Sequence, residues 1–195
     1  THVYYGPEYG TTEIQDLLEQ TKIDYRRPDD LERTVAEALV DGQLVGWFQG
    51  RMEVGPRALG HRSIIADPRD EASRDRVNKY VKHREEWRPF APSILADRAD
   101  EYFEAATPSP FMIDTFDTVP ERRDEIEAVL HRGDNTTRPQ TVTREANPRY
   151  YDLISAFDAL TDVPVVLNPS FNDHAEPIVN RPSEALKDFY GMGLD

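Results

Sequence analysis

The feature that most constrains this chain is a turn-rich segment, residues 46–63, that follows one apolar run and precedes another. The runs are residues 44–48 and 64–66, and the segment carries three arginines and four of the ten glycines. Short apolar runs predict strands, and glycine lets the connecting backbone approach a ligand closely. Arginine supplies forked donors that match phosphate or carboxylate. The segment therefore predicts a strand–loop–strand unit that holds guanidinium groups against a small anion.

The charge of the chain is unevenly distributed. The formal net charge is −14 over 195 residues, yet residues 51–88 carry eight Arg and two Lys against seven acids, or +3. A basic island in an acidic chain favours a compact anionic ligand. It argues against a long nucleic-acid footprint, which needs an extended basic face, so nucleic acid is an unlikely partner.

Several kinds of site lack their sequence signals. There is no cysteine, and the five histidines form neither His-x-x-x-His nor Glu-x-x-His, so we expect no metal bound by this chain. No apolar run is long enough to span a bilayer, and we expect a cytoplasmic protein. Neither a P-loop nor Gly-x-Gly-x-x-Gly is present, so any nucleotide would be held by a less common cradle.

Apolar spacing and capping signals predict helices and strands that alternate along the chain. Expected helix caps are Thr11 or Thr12, Asp29 or Asp30, and Asp70, with Gly42 just past the end of the second helix. The predicted helices are 11–20, 31–41, 71–80, 99–105, 120–129, 147–160 and 182–190, and the predicted strands are 43–49, 63–67, 93–96, 111–119, 140–143 and 163–167. This order predicts an α/β or α+β fold with a mixed sheet. No break in composition divides the chain, so we expect one domain over residues 1–195.

Basic residues at loops and at the ends of elements are the first candidate site. They are Arg51, Arg57, Arg62, Lys82, Arg84, Arg88 and Arg138. One such arginine is usually a surface residue or an ion-pair partner, whereas several beside Gly, Pro or aromatic residues suggest an anion pocket; both interpretations stay open here. Arg51 and Arg62 carry less weight, because either could pair with Glu53 or Asp67.

The second candidate is Asn168-Pro169-Ser170-Phe171-Asn172, which follows the β-branched run 163–167. At a strand end, these side chains could present a hydroxyl and amides to a phosphate or a ribose. An ordinary Asx or Ser turn is the alternative. Ser170 does not lie in Gly-x-Ser-x-Gly, so a serine nucleophile is not favoured.

Together these segments resemble the C-terminal domain of the O-carbamoyltransferases, a family that includes nodulation protein U and antibiotic carbamoyltransferases such as the tobramycin enzyme. The resemblance runs from about Tyr5 to the last residue. It rests on Gly50–Gly60, Arg62–Arg69, Lys82 with Arg88–Pro92, Arg138–Val142, and Val163–Asn172 followed by Glu176–Val179.

The resemblance implies a YrdC-like fold, a twisted mixed sheet with flanking helices. In the family this domain binds ATP, with Mg²⁺ on the triphosphate, and carbamoyl phosphate, and it makes carbamoyl adenylate with release of pyrophosphate. A preceding Kae1-like domain, which holds its own metal, then passes the carbamoyl group to an acceptor hydroxyl. The start at Thr1 fits a fragment that lacks that domain, and the fragment alone could carry out only a partial reaction.

The resemblance also assigns site residues. Arg57, Lys82, Arg88, Arg138 and Ser170 fall on substrate-binding positions, with Lys82 and Arg88 expected to be catalytic around carbamoyl phosphate. Secondary candidates are Arg51, Arg62, Arg84, Asn168 and Asn172. The chain departs from the expected pattern at His61, where asparagine is expected, at Pro169, and at Ala175, where glycine is expected. The alternative function is a non-catalytic nucleotide- or RNA-binding module of the same fold.

Overall fold

The structure, a computed structural model, describes residues 1–83, 85 and 88–195. The strands within these residues are β1 Val45–Phe48, β2 Arg62–Ile65, β3 Pro92–Leu95, β4 Phe116–Asp117, β5 Thr136–Thr137, β6 Gln140–Val142 and β7 Val165–Leu167. The helices are α1 Thr11–Gln20, α2 Leu31–Val40, α3 Glu71–Arg76, α4 Ala99–Tyr102, α5 Pro148–Thr161 and α6 Pro182–Gly191. Helix α3 continues as a π-helix over Val77–Lys82, and 3₁₀ turns cover Ala96–Arg98, Pro120–Glu125 and Glu127–Val129.

Five of the strands form a two-stranded sheet, β1-β2, and a three-stranded mixed sheet in the order β6-β3-β7, and isolated antiparallel bridges connect the two. Strand β2 is antiparallel to β1, and β3 is antiparallel to β7 but parallel to β6. The two sheets meet where β2 lies antiparallel to β7. There the Ile64 amide donates to the Pro169 carbonyl at 2.8 Å, and the Phe171 amide donates to the Arg62 carbonyl at 2.9 Å. This junction brings the loop before β2 beside the loop after β7.

The centre of the sheet is covered on both faces. Every residue of β2, β3, β6 and β7 is buried, although successive side chains of a strand point to opposite faces. Helix α5 packs against β3, β7 and α2, and α6 packs against β1. The core therefore lies between the sheet and these helices, and the loops at the strand ends are left to form a site.

The predicted order of elements and the mixed sheet are confirmed, with several corrections. Asp30 and Asp70 cap α2 and α3 by accepting the amides of Arg33 and Ala72, and Gly42 takes φ +81° as predicted for a helix end. The predicted threonine cap of α1 is wrong, because Gly10 occupies that position. No helix of the described residues is long and apolar enough to cross a membrane.

Two longer predictions between residues 111 and 129 are also wrong. The strand predicted over 111–119 is limited to Phe116–Asp117, because Met112 takes φ +54° and interrupts the extended backbone. The helix predicted over 120–129 is two 3₁₀ segments. Ile126 and Ala128 are both buried, and residues two apart do not share a face of an α-helix.

Candidate anion-binding site

A cleft of about 130 Å³ opens where the loop before β2 meets the loop after β7. Its described lining residues are Pro56, Arg57, Ala58, Lys82, Pro89, Phe90, Ala91, Met112, Arg138, Asn168, Pro169 and Ser170. Three of these are cationic and none is a carboxylate, in a chain that has 37 acidic and 23 basic residues. Such a lining favours a small anion.

The loop that presents Arg57 is organised around a buried carboxylate. Glu53 is 4% exposed, and its Oε1 accepts the backbone amides of Leu59 at 2.7 Å, His61 at 2.9 Å and Arg62 at 3.1 Å. These bonds hold the second half of the loop, and Arg57, on its exposed turn, extends into the cleft lining. From the sequence, Glu53 was considered only as an ion-pair partner, and this function was not predicted.

Arg62 is a structural residue outside the cleft lining. It is buried, lies 3.6 Å above the Phe48 ring, and donates to the carbonyls of Gln49 at 2.6 Å and Gly50 at 3.2 Å. Burial lowers its pKa to about 10. The possible ion pair of Arg62 with Glu53 or Asp67 does not form among the described residues: the guanidinium donates to carbonyl groups, and it is the Arg62 backbone amide that donates to Glu53.

Arg51 and Asp67 form ion pairs, but with other residues than those that the sequence suggested. Arg51 is exposed and lies 3.5 Å from a carboxylate oxygen of Glu8. Asp67 pairs with Arg69, at 2.7 Å. The structure therefore places Arg51, like Arg62, outside the lining of the cleft.

Lys82 connects the end of the π-helix to the loop after β7. It is 7% exposed, and the helix ends at His83, which takes a left-handed conformation. The Lys82 Nζ donates to the carbonyls of Ser170 and Asn172, both at 2.7 Å, and to Asn172 Oδ1 at 2.9 Å. The Ser170 hydroxyl donates to the same Oδ1. Lys82 thus both lines the cleft and fixes the shape of the Ser170 loop. Its position at the end of a π-helix is consistent with a functional site, because π-helical turns are frequent at such sites.

Arg138 lines the same cleft as Arg57 and lies close enough to interact with its charge. Burial, and then the positive charge of Arg57, lower the pKa of the Arg138 guanidinium. Its Nε is buried and has no hydrogen-bond partner among the described residues. An anion bound between the two arginines would supply both the missing acceptor and the missing negative charge.

The structure brings together most of the residues that the sequence singled out. Arg57, Lys82, Arg138, Asn168 and Ser170 all line the cleft, and Asn172 contacts two of them. That they bind a substrate stays a prediction.

Arg88, a further candidate, is not among the described lining residues. Arg88 is exposed beside the cleft, next to the lining residues Pro89 and Phe90. Arg84 lies outside the described residues. Within the described part of the chain, no group of three or more His, Asp or Glu side chains could hold a metal ion.

A buried polar network, which was not predicted from the sequence, supports the inner side of the cleft. The Ser93 hydroxyl donates to Gln140 Oε1 at 2.8 Å, and Gln140 Nε2 donates to the Leu59 carbonyl at 3.0 Å. Asn168 Nδ2 donates to Ser93 Oγ at 2.8 Å. The available signal was the polar first residue, Ser93 or Gln140, of each of the predicted strands 93–96 and 140–143. The network joins β3, β6, the Arg57 loop and the Asn168 loop.

Comparisons with known proteins agree on one family. The family profile described as "Carbamoyltransferase C-terminus" matches residues 36–195. Nodulation protein NolO of Bradyrhizobium diazoefficiens is 43% identical over 99% of this chain and 36% of its own length. The 3'-hydroxymethylcephem-O-carbamoyltransferase of Amycolatopsis lactamdurans is 37% identical over 94% of this chain and 34% of its own length. The chain therefore spans about a third of the length of these relatives.

Solved structures establish the fold independently. Sua5 of P. abyssi, complexed with L-threonine, superposes with a TM-score of 0.60 over 88% of this chain and 47% of Sua5, at 16% sequence identity. Full-length HypF in its phosphate- and nucleotide-bound form superposes with a TM-score of 0.57 over 87% of this chain and 21% of HypF, at 18% identity. These likenesses confirm the predicted YrdC-like fold.

Proposed function

We propose, from the premise that this chain belongs to the carbamoyltransferase C-terminal family, that it binds ATP and carbamoyl phosphate and forms carbamoyl adenylate. ATP carries Mg²⁺ on its phosphates and enters as the metal complex. Pyrophosphate leaves, and the carbamoyl group is then available for transfer to a hydroxyl.

The observation that carries the proposal is the cleft with three cations and no carboxylate in its described lining. ATP and carbamoyl phosphate are both anionic, so bringing them together is opposed by Coulomb repulsion. Arg57, Arg138 and Lys82 offset that repulsion, and fixed donors of this kind stabilise the charge that develops during phosphoryl and nucleotidyl transfer. The cleft volume of about 130 Å³ suits the reacting groups, with the rest of the nucleotide extending outside it.

The proposed chemistry needs no covalent enzyme intermediate. Water takes the phosphoryl group of carbamoyl phosphate, which leaves carbamate and inorganic phosphate. A carbamate oxygen then attacks the α-phosphorus of ATP, and the bond to the bridging oxygen of pyrophosphate breaks. In this scheme carbamoyl phosphate lies beside Lys82 and Arg88, while Arg138 and Ser170 hold the nucleotide phosphates or the carbamoyl end. Positioning and electrostatics carry the catalysis.

The transfer step belongs to the rest of a longer protein in this proposal. The relatives are about three times as long as the matched region, so a preceding Kae1-like domain with its own metal has room to hold the acceptor. The Amycolatopsis lactamdurans enzyme is named for a hydroxymethyl acceptor, and a hydroxyl is the class of group we propose here. ATP and carbamoyl phosphate are cytoplasmic metabolites, so the proposed reaction is cytoplasmic.

ATP–pyrophosphate exchange tests the proposal. The assay incubates this chain with ATP, Mg²⁺ and labelled pyrophosphate, with and without carbamoyl phosphate. The same assay is run on a longer protein that contains the chain. We expect label in ATP only when carbamoyl phosphate is present. A folded longer protein without that dependence would exclude adenylate formation, and tight, salt-sensitive RNA binding would favour the non-catalytic alternative.

A further inference from the structure

Asn168 has one end of its amide fully bonded and the other end unpaired. The side chain is 3% exposed, and it lines the cleft. Its Nδ2 donates to Ser93 Oγ at 2.8 Å, to the Ala58 carbonyl at 3.3 Å and to Gln140 Oε1 at 3.3 Å. Its Oδ1 is buried and has no hydrogen-bond partner in the part of the chain that the structure describes.

The surroundings determine which end of the amide is which. Gln140 Nε2 donates to the Leu59 carbonyl, so Gln140 presents its Oε1 to Ser93 and Asn168. The Ser93 hydroxyl donates to that Oε1, which leaves the Ser93 oxygen as an acceptor. Together with the Ala58 carbonyl, three acceptors surround one end of the Asn168 amide, and only the NH₂ group fits there. The oxygen is therefore held at the other end.

A buried acceptor without a partner needs a donor, and two neighbouring polar side chains of the described lining, Lys82 and Ser170, are already directed to other oxygens. The Lys82 ammonium is directed to the Ser170 and Asn172 oxygens. The Ser170 hydroxyl donates to Asn172. A small ligand that carries an N–H group would satisfy Asn168 Oδ1, while the anionic part of the same ligand meets the arginines.

We propose that Asn168 Oδ1 accepts a hydrogen bond from the amino group of the carbamoyl substrate and makes the site selective for carbamoyl over acyl phosphates. This inference rests on the proposed function and adds a specificity residue to it. Arginine and lysine recognise the phosphate of either class, because they donate to its oxygens. The amino group is what distinguishes carbamoyl phosphate from acetyl phosphate, whose methyl group would leave Oδ1 buried and unpaired. Such a mismatch is expected to weaken acetyl phosphate about tenfold to hundredfold.

Competition by acetyl phosphate tests the proposal directly. In carbamoyl-phosphate-dependent ATP–pyrophosphate exchange, the ratio of the acetyl phosphate inhibition constant to the carbamoyl phosphate KM measures selectivity. For Asn168→Leu, which has a similar volume but no acceptor, we expect this ratio to fall at least tenfold, while the KM for ATP changes less than twofold. An unchanged ratio in a folded, active Asn168→Leu protein would overturn the proposal.

Two further variants separate recognition from folding. Ser93→Ala weakens the inner side of the network, so the melting temperature should fall while the ratio is retained. Asn168→Ala provides the acceptor-free comparison if Asn168→Leu does not fold. A change of the ratio in Ser93→Ala equal to that in the acceptor-free variants would show a purely structural role and overturn the proposal.

The same experiment distinguishes failure of the inference from failure of the proposed function. A wild-type protein with no carbamoyl-phosphate-dependent exchange contradicts both. An active wild-type protein whose acceptor-free variants keep their selectivity contradicts only the assignment of Asn168.

Discussion

Arg57 and Arg138 line the same cleft, and burial together with the charge of Arg57 lowers the pKa of the Arg138 guanidinium. Neither arginine forms an ion pair with a carboxylate within the described residues. Two like charges held together are unfavourable until an anion binds between them. The folded protein therefore keeps a local electrostatic repulsion that a bound anion would relieve, a common arrangement at functional sites.

Removal of Arg57 should separate activity from stability. We expect Arg57→Ala to lower carbamoyl-phosphate-dependent exchange at least tenfold, because a charge-assisted hydrogen bond to the substrate is lost. Thermal unfolding should show an unchanged or slightly higher melting temperature, because repulsion with Arg138 is removed. Arg33→Ala is the matched control, since Arg33 is an exposed arginine paired with Glu37 on α2. Equal loss of activity in both variants would contradict the assignment.

Lys82 and Arg88, both expected to be catalytic, should differ in their effects on folding. Lys82→Ala should abolish exchange and reduce the free energy of unfolding by about 2–4 kcal/mol, because it leaves buried oxygens of the Ser170 loop without a donor. Arg88→Ala should lower exchange with little change in stability, because Arg88 is exposed. Urea unfolding and exchange assays on both variants test this contrast, and equal destabilisation would be evidence against it.

His61 should make the fold sensitive to mild acid. Its ring stacks on Tyr4 with 3.8 Å between centroids, and its Nδ1 lies 2.6 Å from the Arg51 carbonyl. Burial lowers the pKa of His61 below its ordinary value. The unfolded chain therefore binds more protons than the folded one below about pH 6.5, and stability is lost as the pH falls through the folded pKa.

The variant His61→Asn places at this position the residue expected from the family pattern. Its stability should vary less between pH 7 and pH 5 than that of the wild type, as measured by urea unfolding at both values. His174→Asn, which changes an exposed histidine, is the control and should behave like the wild type. An identical pH dependence in all three proteins would show that His61 does not cause the effect.

Ala175 occupies a backbone conformation that suits glycine. Its φ is +63°, in the left-handed region that is strained for a residue with a Cβ. Ala175→Gly should raise the free energy of unfolding by about 0.5–1 kcal/mol, since relief of this strain exceeds the added entropy of the unfolded chain. Ala38→Gly in α2 is a control with the opposite expected sign: it should lower the free energy of unfolding by about 1 kcal/mol. Urea unfolding of the two variants measures both signs.

The elements were predictable where local signals were strong. Asp30 and Asp70 precede apolar helical spacing and do cap their helices, because a cap depends on residues only a few positions away. The π-helical end at Lys82 and the 3₁₀ turns after Pro120 were not predicted. Lys82 is bonded to the Ser170 carbonyl, 88 residues away in the chain, and no local signal reveals such a contact.

The sequence by itself determined the family, the mixed α/β fold and the basic residues from which the cleft is built. Only the tertiary structure decided which of these residues line the cleft and which stabilise the fold. Arg57 lies in the loop before β2 and Arg62 is the first residue of β2, only five positions later, yet Arg57 lines the cleft and Arg62 is buried against carbonyl groups. The reason is physical: a side chain's function follows from its burial and its partners, and the partners of Lys82, Arg138 and Asn168 lie tens of residues away in the chain.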